Sequence, residues 1–205
     1  MDTALPPTDD PHMTNGPVSP TPASAPSDST APPRVRFVDL AGPPMTALAD
    51  GDLDAAGAAA GITLPDYFVT DTARRLWRMR LAQVADDPGS ARWFARAAVS
   101  ETEGVVVGYS GFHGPPDRVG MVELGYSVVP EFRRRGYARA MLTAMAERAA
   151  AEPDVATLRV TISPDNAASL ATIVGFGFVR VGEQIDEIDG LEIIFEVPVG
   201  TTPRT

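Results

Sequence analysis

The chain has 205 residues, the span of one domain with an appendage at most. Its 44% apolar and 21% charged residues suffice for a buried core, yet no stretch approaches the ~20 uninterrupted apolar residues of a membrane helix. A net charge of −10 disfavours nucleic acid and membranes as partners, and the lack of cysteine excludes disulfides and thiolate chemistry.

With only His12 and His113 as histidines, no metal site is expected. Met1-Asp2-Thr3 shows neither the basic nor the apolar region of a signal peptide. Together with the missing cysteine this fits a reducing, cytoplasmic setting. Residues 1–33 are rich in Pro, Ser, Thr, Ala and Asp and hold no aromatic residue. Proline removes backbone donors, and too little apolar mass remains to offset ordering entropy, which predicts a disordered tail. One domain is expected over residues 34–198, with residues 199–205 as a second short tail.

Val35 to Leu40 reads as a first strand. Met45 to Ala60 reads as alanine-rich helix, broken near Asp50-Gly51 and closed by Gly61. Pro65 fits the first turn of a longer helix reaching about Ala85. Trp93 to Val99 and Val105 to Phe112 pattern as the arms of a hairpin turning through Glu101-Thr102-Glu103-Gly104. Met121 to Val129 is a fourth strand, stopped by Pro130. A helix over Gly136 to Ala151 follows, then a strand over Thr157 to Ile162 and a helix over Asn166 to Phe176. Phe178 to Gln184 and Leu191 to Val197 close the domain as a hairpin through Asp189-Gly190. Hairpins on both sides of a helical crossover predict an α/β fold, a mixed, mostly antiparallel sheet flanked by helices.

The segment after the fourth strand carries chemistry. Arg133-Arg134-Arg135-Gly136-Tyr137-Ala138 joins a strand end to a helix start. First-turn N–H groups have no intrahelical partners, and the helix dipole adds partial positive charge. Gly136 lets an anion approach the backbone closely, and the arginines supply donors and countercharge. On composition alone, a solvated basic helix start is the alternative. A P-loop is excluded, because no Gly-Lys-Ser/Thr occurs.

These residues resemble the GNAT N-acetyltransferase superfamily, in the branch similar to ribosomal-protein N-terminal acetyltransferases. Its Arg/Gln-x-x-Gly-x-Gly/Ala signature is matched by Arg133, Gly136 and Ala138. Its Asn-x-x-Ser pattern, followed by Gly-Phe at the end of the next helix, is matched by Asn166, Ser169, Gly177 and Phe178. The resemblance covers roughly residues 34–197 and implies a GNAT-like acyl-CoA fold with acetyl-CoA as donor and no metal. It implies that backbone groups of Tyr126, Ser127 and Val128 pair with the pantetheine arm. Arg133, Arg134, Arg135, Gly136, Tyr137, Ala138 and Arg139 would form the pyrophosphate site. Asn166 would bond to the cofactor near its pantetheine portion, or cap its helix, or do both.

Transfer to an amine needs the neutral amine, a stabilised oxyanion and a departing thiolate. An α-amine with a pKa of ~7.7–8.0 is roughly one-tenth to one-sixth neutral at pH 7, whereas a lysine at ~10.4 is neutral less than about once in a thousand. An N-terminal amine is therefore the easier acceptor for a weak base. Two departures from the resemblance matter: Ile173 stands where many relatives carry a tyrosine acid, and Thr161 where some carry a glutamate base. Glu123, which alternation turns onto the face of Gly125 and Ser127, is the first candidate base; a solvated strand carboxylate is the alternative. Ser169 could assist the leaving sulfur, and His113 could serve as base or touch the acceptor. The expected activity is direct acetyl transfer from acetyl-CoA to a primary amine of a small molecule or peptide, the N-terminus of a peptide or protein included. A non-catalytic acyl-CoA-binding module with a partner-recruiting tail is the other reading. Oligomeric state stays open, a homodimer being one option.

Overall fold

In the computed structural model, residues 31–186 and 190–200 are described. Seven strands form one sheet in the order β1-β2-β3-β4-β5-β7-β6. They are β1 (Val35–Asp39), β2 (Arg96–Ser100), β3 (Val106–Phe112), β4 (Met121–Val128), β5 (Thr157–Ile162), β6 (Val179–Asp186) and β7 (Gly190–Pro198). Every neighbouring pair is antiparallel except β4 and β5, so the sheet is mixed and mostly antiparallel as expected. That parallel pair is joined by α4 (Tyr137–Ala151), in keeping with the need of parallel strands for a crossover.

The helices divide between the two faces. Helices α1 (Pro43–Asp50), α2 (Leu53–Ala60) and α3 (Asp71–Asp86) pack one side around Leu48, Phe68, Trp77, Phe94 and Tyr109. The Trp77 indole N–H donates to the Phe68 carbonyl at 2.7 Å, so this core buries its indole donor with a partner. On the other face α4 buries Met141 against Val35, Ala98 and Val107, and Leu142, Met145 and Ala149 against Val122, Leu124, Leu158 and Val160. Helix α5 (Ala167–Ile173) adds Ile173 to the same cluster.

Several expected boundaries shift, each for a local reason. Pro65 does not open the long helix: it precedes a 3₁₀ turn over Asp66–Val69, and α3 starts after Thr70, whose hydroxyl accepts from the Ala73 N–H. Trp93 belongs to a 3₁₀ turn over Pro88–Trp93 rather than to β2. Helix α5 ends at Ile173, before Gly177, because Val174 is extended and Gly175 already takes a positive φ of 86°. The expected tail falls outside the described residues over 1–30, as do residues 201–205 and Asp189 of the last turn.

Strand β6 forms one rim of the sheet and leaves Val179, Val181 and Ile185 exposed, with a register break between Arg180 and Gly182. Among the described residues no helix is long and apolar enough to cross a membrane.

Candidate active site

The central pair of strands sets up the site. β4 keeps β3 as its partner from Leu124 to Val128, but it pairs with β5 only over Met121–Glu123. Beyond Glu123 the two parallel strands part, β5 staying with β7. The His113 N–H reaches the Glu123 carbonyl at 2.8 Å and the Val129 N–H reaches the Val107 carbonyl at 2.9 Å. Odd-numbered positions of β4 therefore turn their amides to β3, and alternation turns those of Tyr126 and Val128 toward the opening.

A groove of about 760 Å³ occupies this opening. Its strand wall is Tyr126, Ser127 and Val128, its far wall α5 with Asn166 and Ser169, and its floor the start of α4. Gly136 precedes that helix with a φ of 83° and no side chain caps its N-terminus. Arg134 has a positive φ of 59°, a conformation that costs a residue with Cβ about 1–3 kcal/mol and recurs at ligand clamps. Arg133, Arg134 and Arg139 line the groove. The Tyr126 hydroxyl is buried without a partner among the described residues. Unused strand amides at one end and an uncapped helix start with arginines at the other suit an extended diphosphate ligand such as coenzyme A.

Of the residues that sequence assigned to the cofactor, all but Arg135 line this groove. The Arg135 guanidinium instead pairs with Glu103 of the β2–β3 turn and lies over the rings of Phe132 and Tyr137. The Tyr137 side chain turns the same way, its hydroxyl donating to Glu103 at 2.7 Å, so only its backbone belongs to the helix start. Arg133 donates through Nε to the Val128 carbonyl at 3.1 Å, and Arg139 to the Val174 carbonyl at 2.7 Å. Asn166 caps α5 through Oδ1, which accepts from the Ser169 N–H at 3.0 Å, while also lining the groove.

On the other face of β4 lies a smaller cavity of about 260 Å³ that shares Tyr126 and Ser127 with the groove. Arg80, Tyr109 and His113 stand around it. The Ser127 and Tyr67 hydroxyls share a hydrogen bond of 2.8 Å. Burial pushes the Tyr109 phenol up, against a hydrogen bond with Ser127, so it stays protonated. Phe68 and Trp77 are fully buried core residues and line neither site.

His113 and Glu123 come together here. His113 Nδ1 lies 3.4 Å from Glu123 Oε1, and Thr161 donates its hydroxyl to the same oxygen at 2.6 Å. Burial works against the Glu123 charge, but hydrogen bonds from His113 and Thr161 and the charges of His113 and Arg159 outweigh it, holding the carboxyl below its ordinary 4.5. The other imidazole nitrogen lies over Gly125, where a Cβ would sit 2.7 Å from Nε2. His113 lines the cavity, whereas Glu123 stands behind it. Ile173 is buried in the core, and Thr161 supports Glu123 rather than replacing it.

Sequence reasoning missed Arg80. It is an arginine on the apolar stripe of α3, only 5% exposed, and its Nη1 donates to the His113 carbonyl at 2.8 Å. The available signal was a charge in step with Ala73 and Trp77.

Comparison with known proteins matches residues 53–179 to the acetyltransferase (GNAT) domain family. An uncharacterised N-acetyltransferase, YjdG of Bacillus subtilis, is 31% identical over 74 residues, 36% of this chain. The match spans 44% of that relative's length. The ribosomal-protein-S5-alanine acetyltransferase of Vibrio fischeri superposes with a TM-score of 0.54 at 16% identity, over 82% of this chain and 94% of the other. Mycobacterium smegmatis RimJ in complex with CoA-disulfide superposes with a TM-score of 0.53 at 16% identity, over 85% and 89%. At such identities the likeness establishes the fold.

Gly125→Ala will drive the imidazole away from Gly125 and break its approach to Glu123, with little loss of thermal stability because His113 is half exposed. A changed His113 environment in side-chain NMR, with a near-unchanged melting temperature, is the expected result. Thr161→Val removes a bond that lowers the Glu123 pKa. The depressed carboxyl stabilises the fold above its unfolded pKa of about 4.5, and that contribution disappears as pH falls through the lower native value. The gap in urea midpoint between wild type and Thr161→Val should thus be wider at pH 7 than at pH 3.

Proposed function

The chain belongs to the acetyltransferase (GNAT) family, and from that premise we propose that it is an N-acetyltransferase moving an acetyl group directly to a primary amine. The single observation that carries this reading is the groove between the parted ends of β4 and β5, floored by the uncapped start of α4. Acetyl-CoA, when bound, supplies an acetyl group already activated as a thioester. The amides of Tyr126 and Val128 would take its pantetheine arm as an exposed edge takes an added strand. The first-turn amides of α4 with Arg134 and Arg139 would hold the diphosphate.

On the opposite side of β4, His113 is the proton acceptor for the amine. Its Nε2 faces the cavity over Gly125, while Glu123 at Nδ1 orients the ring. Glu123 itself is the poorer base, since its neighbours hold it below the ordinary carboxyl range. Ser169 offers its hydroxyl to the departing sulfur from the groove's far wall. The ribosomal-protein acetyltransferases that share the fold make a peptide α-amine a reasonable acceptor class. A cytoplasmic site of action, without nucleic-acid or membrane partners, is part of the same reading.

Thiol release from acetyl-CoA, followed with α-amino peptides, amino acids and polyamines beside a coenzyme A titration, tests the proposal. Saturable binding without amine-dependent release would make the protein a binding module instead. Arg134→Ala should weaken coenzyme A binding by on the order of tenfold, as expected for a lost charge-assisted bond, and Arg135→Ala by much less, because its guanidinium already serves Glu103. An equal loss in both would contradict the assignment. His113→Gln should lower kcat by ~10²–10⁴-fold. Glu123→Gln should lower kcat by a smaller factor than His113→Gln, because it loosens the orientation of the ring without removing the base.

A further inference from the structure

Arg80 is a cation in the wrong place for a purely structural role. It reaches into the acceptor-side cavity from α3 and is only 5% exposed. The Phe94 ring lies 5.1 Å from its guanidinium. Both of its protein hydrogen bonds leave from Nη1, to the Gln83 side chain and the His113 carbonyl, each at 2.8 Å. Among the described residues no carboxylate forms an ion pair with it.

Burying a guanidinium without a carboxylate is expensive, and such a group is normally paired or absent. Burial lowers its pKa to about 10 in spite of the Glu123 charge, which acts from beyond ion-pair distance. Glu123 is also divided among other partners, accepting from Thr161 and lying beside His113. Arg159 nearby is neutralised by Glu196 at 2.6 Å. The residues lining the cavity thus include the Arg80 cation and no carboxylate. The wall holds a planar fork of donors suited to bidentate carboxylate recognition. At about 260 Å³ the cavity is also smaller than the ~300–1,000 Å³ of ordinary small-molecule sites, which favours a compact acceptor.

We infer that the acceptor is a compact amine bearing a carboxylate, with Arg80 as the carboxylate anchor and His113 at the amine. This rests on the acetyltransferase reading for its chemistry, but the anchor itself is a binding property. The carboxylate has two sources, the α-carboxylate of a free amino acid or the side chain of an acidic residue at a peptide N-terminus.

Two matched pairs distinguish the sources: L-alanine against L-alaninamide, and aspartyl-alaninamide against asparaginyl-alaninamide. Each is titrated calorimetrically into the protein–coenzyme A complex and, in parallel, assayed for thiol release from acetyl-CoA. Wild type should prefer the carboxylate member of one pair by at least about tenfold, the scale of one charge-assisted contact. Arg80→Gln should bring that ratio close to one. Because Arg80 also holds the His113 carbonyl, part of the rate loss will be common to both members of a pair, so the ratio, not the rate, reads the anchor. Arg80→Lys, which keeps the charge but not the fork, should retain part of the preference and guards against a folding defect. Equal binding within both pairs, or a preference that survives Arg80→Gln, overturns the anchor. If no amine releases thiol, the acetyltransferase reading falls while the titration still decides the anchor.

Discussion

The structure depends on how β4 divides its hydrogen bonds. Along most of its length it satisfies β3, but it meets β5 for only three residues before the strands part. A parted pair inside a sheet leaves donors and acceptors with no protein partner, a state that is stable only when water or a ligand takes their place. The same parting sets the start of α4 against the opening. It also makes Tyr126 and Ser127 a thin wall with the basic groove on one side and the smaller cavity on the other. A chain bound along the groove and a molecule in the cavity would be separated by little more than one strand.

Charge is arranged with similar economy. One carboxylate, Glu123, is reached by a threonine hydroxyl and an imidazole, with Arg159 and Arg80 in its field. Such a carboxylate is a poor place to store a proton and a good place to fix an imidazole. The cost of burial is offset by several weak partners instead of one strong ion pair, which leaves the imidazole available on its other nitrogen.

Most of the fold was legible because it follows short-range rules. The strand over Met121 to Val129 and the helix over Gly136 to Ala151 stand nearly where the sequence predicts them, and Met141, Leu142, Met145 and Ala149 recur at helical spacing on the buried face of α4. The groove was legible through Gly136 and the arginines, whose role depends on backbone that sequence fixes locally. Legibility stopped where a side chain chooses a distant partner. Arg135 turns to Glu103, 32 positions away, and nothing beside Arg135 announces it. Arg80 reads as an interruption of an apolar stripe until the fold brings the His113 loop over it. Glu123 and His113 were both visible as candidates, but their juxtaposition across the β3–β4 connection was not.

The rim formed by β6 has a consequence of its own. It presents aliphatic side chains to water along a strand with no further strand beside it among the described residues, the pattern that invites strand-by-strand stacking into fibrils. The register break after Arg180 interrupts that template. A strand laid straight along β6 would keep its bonds in phase on only one side of that break, so pairing at this rim is limited to short stretches.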